Sequence, residues 1–190
     1  MDERFVLIIS KCRAAVTVND NDGHCVSANR LAEELRGAGP GELEGRHITE
    51  LAGADPRLAE RQFQRFVHDG AWVGQYPIRG PGGALATVRS CAITHREDGE
   101  AFCVNFEYPV GERTSLTHDG PLKLEQPALS REDVCLAQLC IDGHSCDDVA
   151  VLLGVSLERA EALTAQLIEQ TETSSRTGAC VRLLKAGLIV

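Results

Sequence analysis

The amino-acid sequence predicts an α+β chain, with a five-stranded antiparallel sheet carrying helices on one face in residues 1–110 and an all-α unit of four helices in residues 129–190. Three observations carry that prediction. Before residue 111, several short segments alternate apolar and polar side chains, the period of a half-buried strand. Asp22-Gly23, Gly82-Gly83 and Asp98-Gly99 supply the positive-φ positions of tight turns between such strands. Beyond residue 129 the apolar period lengthens to that of a helix, and serines recur where helix N-caps belong.

The elements follow in order. Strands are predicted over 14–18, 24–28, 72–78, 85–93 and 101–108. The last is the clearest, because Phe102, Val104, Phe106 and Tyr108 share one face while Cys103, Asn105 and Glu107 share the other. Between the second and third strands, Asn29 is placed to cap a helix over 31–36, a short helical stretch spans 45–51, and Asp55-Pro56 opens a helix running to about residue 69. The polar stretch 111–121, bounded by glycines and Pro121 and free of periodic apolar pattern, reads as the start of a linker that reaches residue 128. After it, helices are predicted over 130–142, 145–153, 156–171 and 176–186. Ser130, Ser145 and Ser156 sit at N-cap positions, Asp133 and Asp148 follow two of them by three residues, and Gly143 and Gly154 stand at connections.

Composition narrows the function. The chain has 190 residues, 43% of them hydrophobic, with 19 basic against 28 acidic side chains and a net charge of −9. Only 5 Phe, 2 Tyr and the single Trp72 are aromatic, too few for the stacking platforms that grip single-stranded nucleic acid. Met1-Asp2-Glu3-Arg4 places acid where a secretory signal needs positive charge, and no run approaches the roughly 20 apolar residues of a membrane span. A cytoplasmic protein without membrane contact is expected. The 8 cysteines include no CxxC pair, and Cys135, Cys140, His144 and Cys146 lack the spacing of a zinc site, so thiols packed in a core and no metal are expected. No nucleophile stands beside a base at motif spacing, and no phosphate-binding loop occurs, which argues against an enzyme.

Residues 10 to 110 resemble the PAS sensory domain family, both in strand and helix order and in Asp20-Asn21-Asp22-Gly23, Asn29-Arg30-Leu31-Ala32, Gly45-Arg46, Asp69-Gly70, Gly74 and Asp98-Gly99-Glu100. The resemblance implies a small-molecule pocket, and the side chains expected to line it are Leu35, Ile48, Phe63, Phe66, Trp72, Tyr76, Leu85 and Phe102. The cofactor is left open. A light-sensing flavin site needs an Asn-Cys-Arg motif, and here the corresponding region reads Arg30-Leu31-Ala32-Glu33-Glu34-Leu35-Arg36. Haem-binding relatives use a histidine from the helical side, which makes His47 and His68 the candidate ligands.

Residues 129–190 resemble the helix-turn-helix domain that closes LuxR-type transcription regulators. Leu129-Ser130-Arg131-Glu132-Asp133 is similar to its opening, Cys140-Ile141-Asp142-Gly143-His144-Ser145 to its first turn, and Val149-Ala150-Val151-Leu152-Leu153-Gly154-Val155-Ser156 to its scaffold helix and second turn. Ser174-Ser175-Arg176-Thr177 and Lys185-Ala186-Gly187-Leu188-Ile189-Val190 are similar to its close. The implied function is a sensor-type regulator of transcription acting on promoter DNA, with Ser156, Arg159, Ala162, Thr164, Gln166 and Arg176 at the DNA. A homodimer through Val181, Leu184 and Leu188 is implied as well.

The helix that should enter the major groove departs from the family. Ala160, Leu163, Leu167 and Thr171 follow core spacing, which leaves Glu158, Glu161, Ala162, Ala165 and Glu169 outward. Residues 125–190 hold ten acidic and five basic side chains, a net of −5. DNA affinity rests heavily on neutralised phosphates. The alternative is a signalling adaptor whose acidic third helix meets a protein partner.

Overall fold

A computed structural model describes residues 1–53, 55–110, 120–121 and 129–189. The predicted linker at 111–128 lies outside the described residues except for 120–121. The elements are α1 (Glu3–Lys11), β1 (Ala15–Asn19), β2 (Cys25–Ala28), α2 (Arg30–Arg36), α3 (Ile48–Leu51), α4 (Pro56–Asp69), β3 (Ala71–Arg79), β4 (Leu85–Glu97), β5 (Glu100–Pro109), β6 (Gly120–Pro121), α5 (Arg131–Ile141), α6 (Cys146–Leu153), α7 (Leu157–Gln170) and α8 (Arg176–Lys185). Five antiparallel strands run in the order β2-β1-β5-β4-β3, and the two-residue β6 adds itself to the outer edge of β3. The α+β prediction holds, and the expected strands all form.

Local chemistry sets the boundaries. Asp98 and Gly99, both at positive φ, turn β4 back onto β5. Asp55 accepts from the Arg57 N–H, Pro56 stands at the first position of α4, and Gly70 ends the helix in the left-handed region. Ser130 with Asp133, and Ser145 with Asp148, form complete capping boxes at α5 and α6. Asn29 does more than cap α2. Its buried side chain accepts from Val16 N–H and donates to the carbonyls of Ile9 and Ala14, tying the end of α1 to β1.

The strand period of two divides the sheet into faces. Thr17, Asn19, Trp72, Tyr76, Ala92, Cys103 and Asn105 point toward α3 and α4. Val16, Val18, Val73, Cys91, Ile93, Val104 and Phe106 point the other way, into a core shared with α1 and α5 to α8. That core is continuous. It joins Phe5, Ile8 and Ile9 of α1 to Val134, Leu139, Leu152, Leu163 and Leu183 of the helical unit. The run Phe5 to Ile9 is therefore covered by the chain itself along one stripe, while Val6 and Leu7 stay exposed. No helix among the described residues is long and apolar enough to cross a membrane.

Candidate sensory cavity and helix-turn-helix surface

A cavity of about 110 Å³ lies between the sheet and the helices α3 and α4. Ile48, Phe63, Phe66, Trp72 and Tyr76, five of the eight side chains expected at a pocket, line it. The other three do not. Leu35 joins a separate small cluster with Ala15, Cys25 and Leu43. Leu85 opens β4 at its far end and is exposed. Phe102 shares strand parity with Val104 and Phe106, so it faces the opposite core, with its ring centroid 6.2 Å from that of His95.

The wall of the cavity also carries a polar cluster absent from the expected lining. Arg36, the last residue of α2, donates from Nη2 to Glu107 Oε1 at 2.6 Å, and both side chains are buried. Tyr76 donates its hydroxyl to the same Glu107 oxygen, and Asn105 Nδ2 donates to Tyr76 Oη at 2.8 Å and to Glu107 at 3.1 Å. Ser90 donates to Asn105 Oδ1. Burial on its own would lower the Arg36 guanidinium, but the adjacent Glu107 carboxylate outweighs it and holds Arg36 protonated. Desolvation, reinforced by the Glu107 charge, pushes the Tyr76 phenol upward, so it stays a donor. The signal for this cluster lies in β5, where Cys103, Asn105 and Glu107 share the face opposite Phe106.

Neither histidine proposed for haem reaches the cavity. His47 caps α3, with Nδ1 2.8 Å from Thr49 Oγ1 and Nε2 2.9 Å from the Asp22 carbonyl. His68 is exposed on α4. These residues do not fit a haem. The strand cysteines are buried, and desolvation raises Cys25 to about 11 and Cys103 further still, the opposite of what redox sensing needs.

The sheet lies between this cavity and α5. Trp72 and Ala92 line the cavity, and their carbonyl oxygens accept from Cys135 Sγ at 3.7 and 3.6 Å. On β5, Glu107 holds the cavity-lining Arg36, Tyr76 and Asn105, while its neighbour Tyr108 donates to Asp142, the C-cap of α5. Arg131 at the start of α5 donates to Asp69 of α4 at 2.8 Å.

Within the helical unit, Gly154 turns α6 into α7 at φ +65, and Ser156 caps α7. Ala160, Leu163, Leu167 and Thr171 are buried and Glu158, Glu161, Ala162, Ala165 and Glu169 are exposed, as their spacing predicts. Of the six residues assigned to DNA, Ser156, Arg159, Ala162 and Gln166 are exposed. Arg176 is half-buried and donates to the His144 carbonyl at 3.2 Å. Thr164 is turned inward, donating to the Ala160 carbonyl at 2.9 Å and lying 3.7 Å from Cys146 Sγ. It braces α6 against α7 and does not face solvent. On α8, Val181 and Leu184 are exposed, whereas Leu188, just beyond its end, packs partly against the core.

The PAS fold family model matches residues 10–114. No curated protein matches the chain. Among solved structures, the RsLOV d2 variant is 14% identical, with 97% of this chain and 98% of that one covered, at a TM-score of 0.57. The PAS domain of an HTR-like protein from Haloarcula marismortui is 21% identical over 56% of this chain and 89% of its own, at a TM-score of 0.49. The VqmA dimer of Vibrio cholerae, described in the context of LuxR-type receptors, is 15% identical over 100% of this chain and 91% of its own, at 0.47. With the family model matching more than half of its length, a matching strand order and a cavity between the sheet and α3 and α4, the chain belongs to the PAS fold family.

Proposed function

We propose that the chain is a sensor-type transcriptional regulator, in which a PAS domain at 1–110 binds a small molecule and controls a LuxR-type helix-turn-helix unit at 129–190. The observation that carries this reading is the sharing of strands. Trp72 and Ala92 border the cavity on one face and receive α5 through Cys135 on the other. A ligand that shifts β3 or β4 therefore acts directly on the first helix of the effector unit. Ser156, Arg159, Ala162 and Gln166 supply the DNA-facing surface in this reading, and Val181 and Leu184 the apolar patch of a homodimer.

One observation favours a second reading, in which α7 binds a basic protein partner. Of the five cations in residues 125–190, Arg131 is paired with Asp69, Arg176 is spent on a carbonyl, and Arg182 lies 3.4 Å from Glu172. Among the described residues, Arg159 and Lys185 remain for phosphates, against exposed Glu158, Glu161 and Glu169.

The test is fluorescence anisotropy of the full chain on its own upstream DNA across a salt series, beside the variant Glu161→Lys with Glu169→Arg. The regulator reading predicts saturable binding with a shallow salt slope, because few phosphates are neutralised. It also predicts tighter nonspecific binding by the variant at low salt, with a steeper slope by about two contacts. No binding by the wild-type chain at low salt would favour the protein-partner reading. No gain in the variant would mean that α7 does not face DNA.

A further inference from the structure

The outward face of α4 carries charge opposite in sign to the chain's net −9. Ala59, Phe63 and Phe66 turn inward to the cavity, which leaves Arg57, Arg61, Arg65 and His68, at i, i+4, i+8 and i+11, along one exposed face. The acids on its flanks are engaged elsewhere. Glu60 accepts from Gln64 and lies beside His47, and Asp69 is held by Arg131 at 2.8 Å, which leaves Arg65 a longer contact with it at 3.7 Å. Arg57 and Arg61 are in no ion pair among the described residues. Like charges four residues apart destabilise the helix that carries them, and an anionic surface of the same pitch removes that penalty.

The exposed face of α7 is such a surface. Glu158, Glu161 and Glu169 share it with Ala162 and Ala165, and none of the three carboxylates is in an ion pair among the described residues. The two faces match in length: His68 lies eleven residues beyond Arg57 and Glu169 eleven beyond Glu158, roughly 16 Å along either helix. Laid antiparallel, Arg57 meets Glu169 and Arg65 meets Glu161, the helix dipoles oppose, and the two alanines leave room for the arginine stems. Within one chain the faces cannot meet, because α4 covers one side of the sheet and Ala160, Leu163 and Leu167 hold α7 in the core on the other. We propose that α4 of one copy of this chain docks on α7 of another, an assignment that rests on the reading in which α7 meets a basic protein partner and names that partner. A chain held in this way withholds α7 from DNA through the same helix that closes the cavity.

Sedimentation velocity of the full chain at about 0.05 M and about 1 M salt reads the contact, since exposed charges are screened at the higher concentration. At low salt the mass is expected to exceed 20.5 kDa and to rise with protein concentration, and the added mass is expected to be lost at high salt. Arg61→Glu with Arg65→Glu, and Glu161→Lys with Glu169→Arg, are each expected to abolish the salt-sensitive association alone and to restore it when mixed, since each then offers the other the opposite charge. Recovery in the mixture also shows that both variants fold; should the reversal on α4 unfold the chain by circular dichroism, Arg57→Gln with Arg61→Gln is expected to weaken the association in its place. Association unchanged by the α4 variants, absent at low salt, or not recovered in the mixture would overturn the proposal. Loss in the α7 variant alone would do so while leaving α7 a protein surface with a different mate, and loss in the α4 variant alone would return α7 to DNA. Association that resists salt would overturn it in favour of the Val181 and Leu184 patch, and unchanged association with weakened binding of the α4 variant to duplex DNA would assign the stripe to nucleic acid.

Discussion

Arg36 and Glu107 form the most consequential pair in the molecule, because both charges are buried and each stands in for the solvation the other has lost. Breaking such a pair from one side is costly, whereas replacing both members with apolar groups is close to neutral. Arg36→Met is therefore expected to destabilise the chain by about 3–5 kcal/mol, and Arg36→Met with Glu107→Leu to recover most of that loss, as read from urea midpoints. Equal losses in the single and the double variant would show that the pair contributes nothing beyond packing. Half of this arrangement is legible in the sequence. The alternation in 101–108 separates Asn105 and Glu107 from Phe106, and five pocket residues follow from the apolar positions read together with the PAS resemblance. What does not follow is that the polar face is buried as well, since a glutamate in a strand ordinarily meets water and its partner lies 71 residues away.

Among the elements, α1 is the one that pattern reading misses. Phe5, Ile8, Ile9 and Cys12 repeat at i, i+3, i+4 and i+7 behind Asp2, which caps the helix, but the contiguous run Phe5 to Ile9 hides that stripe. A nine-residue helix is marginal alone. Burying Phe5, Ile8 and Ile9, each contributing about 1.5–3 kcal/mol relative to exposure, holds it on the sheet. Its contact with β4 includes His95, whose ring centroid is 4.4 Å from that of Phe5. Desolvation lowers the His95 imidazole below its ordinary 6.5, in spite of Glu97 nearby. The folded chain thus resists a proton that the unfolded chain accepts, so stability contributed by neutral His95 is present above pH 6.5 and lost as pH falls below it. The urea midpoint is expected to drop between pH 7.5 and 5.5, and His95→Phe to flatten that drop. An unchanged slope in His95→Phe would assign the acid sensitivity elsewhere. The α6–α7 corner depends on a glycine in the same way that α1 depends on its apolar stripe. A Cβ at Gly154 would lie 2.1 Å from the Arg96 carbonyl oxygen, at φ +65. Gly154→Ala is expected to cost more than about 1 kcal/mol from the backbone conformation alone and to push α6 away from β4. A midpoint within 0.3 kcal/mol of wild type, a limit set by roughly the additivity error of such measurements, would show that the corner is not seated on the strand.

At the scale of the whole molecule, the sheet has two employed faces. One encloses the cavity under α3 and α4, and the other carries α1 and the four C-terminal helices in a single apolar core. The helices of the C-terminal unit are legible in advance because their serine caps, capping boxes and core spacing agree with one another. Their seating on the sheet is not, because no local pattern states which apolar surface a helix will meet. That seating gives the proposed regulation its physical route, since Trp72 and Ala92 touch both the cavity and, through Cys135, α5. It also makes complete release of the helical unit expensive, so modest displacement of α5 is the expected response to occupancy.

The most direct test fills the cavity from the side away from the sheet. Ala59 on α4 lines the cavity, so Ala59→Leu adds volume there while leaving every residue of β3, β4 and α5 in place. Amide hydrogen exchange of the variant and the wild-type chain is then compared segment by segment. Coupling through the sheet predicts changed protection in α5, at 131–141, together with α3 and α4, and the same change in an Arg131→Gln background that lacks the direct ion pair of α5 with Asp69 on α4. A change confined to α3 and α4, with α5 exchanging as in the wild type, would contradict control of the helical unit by the cavity.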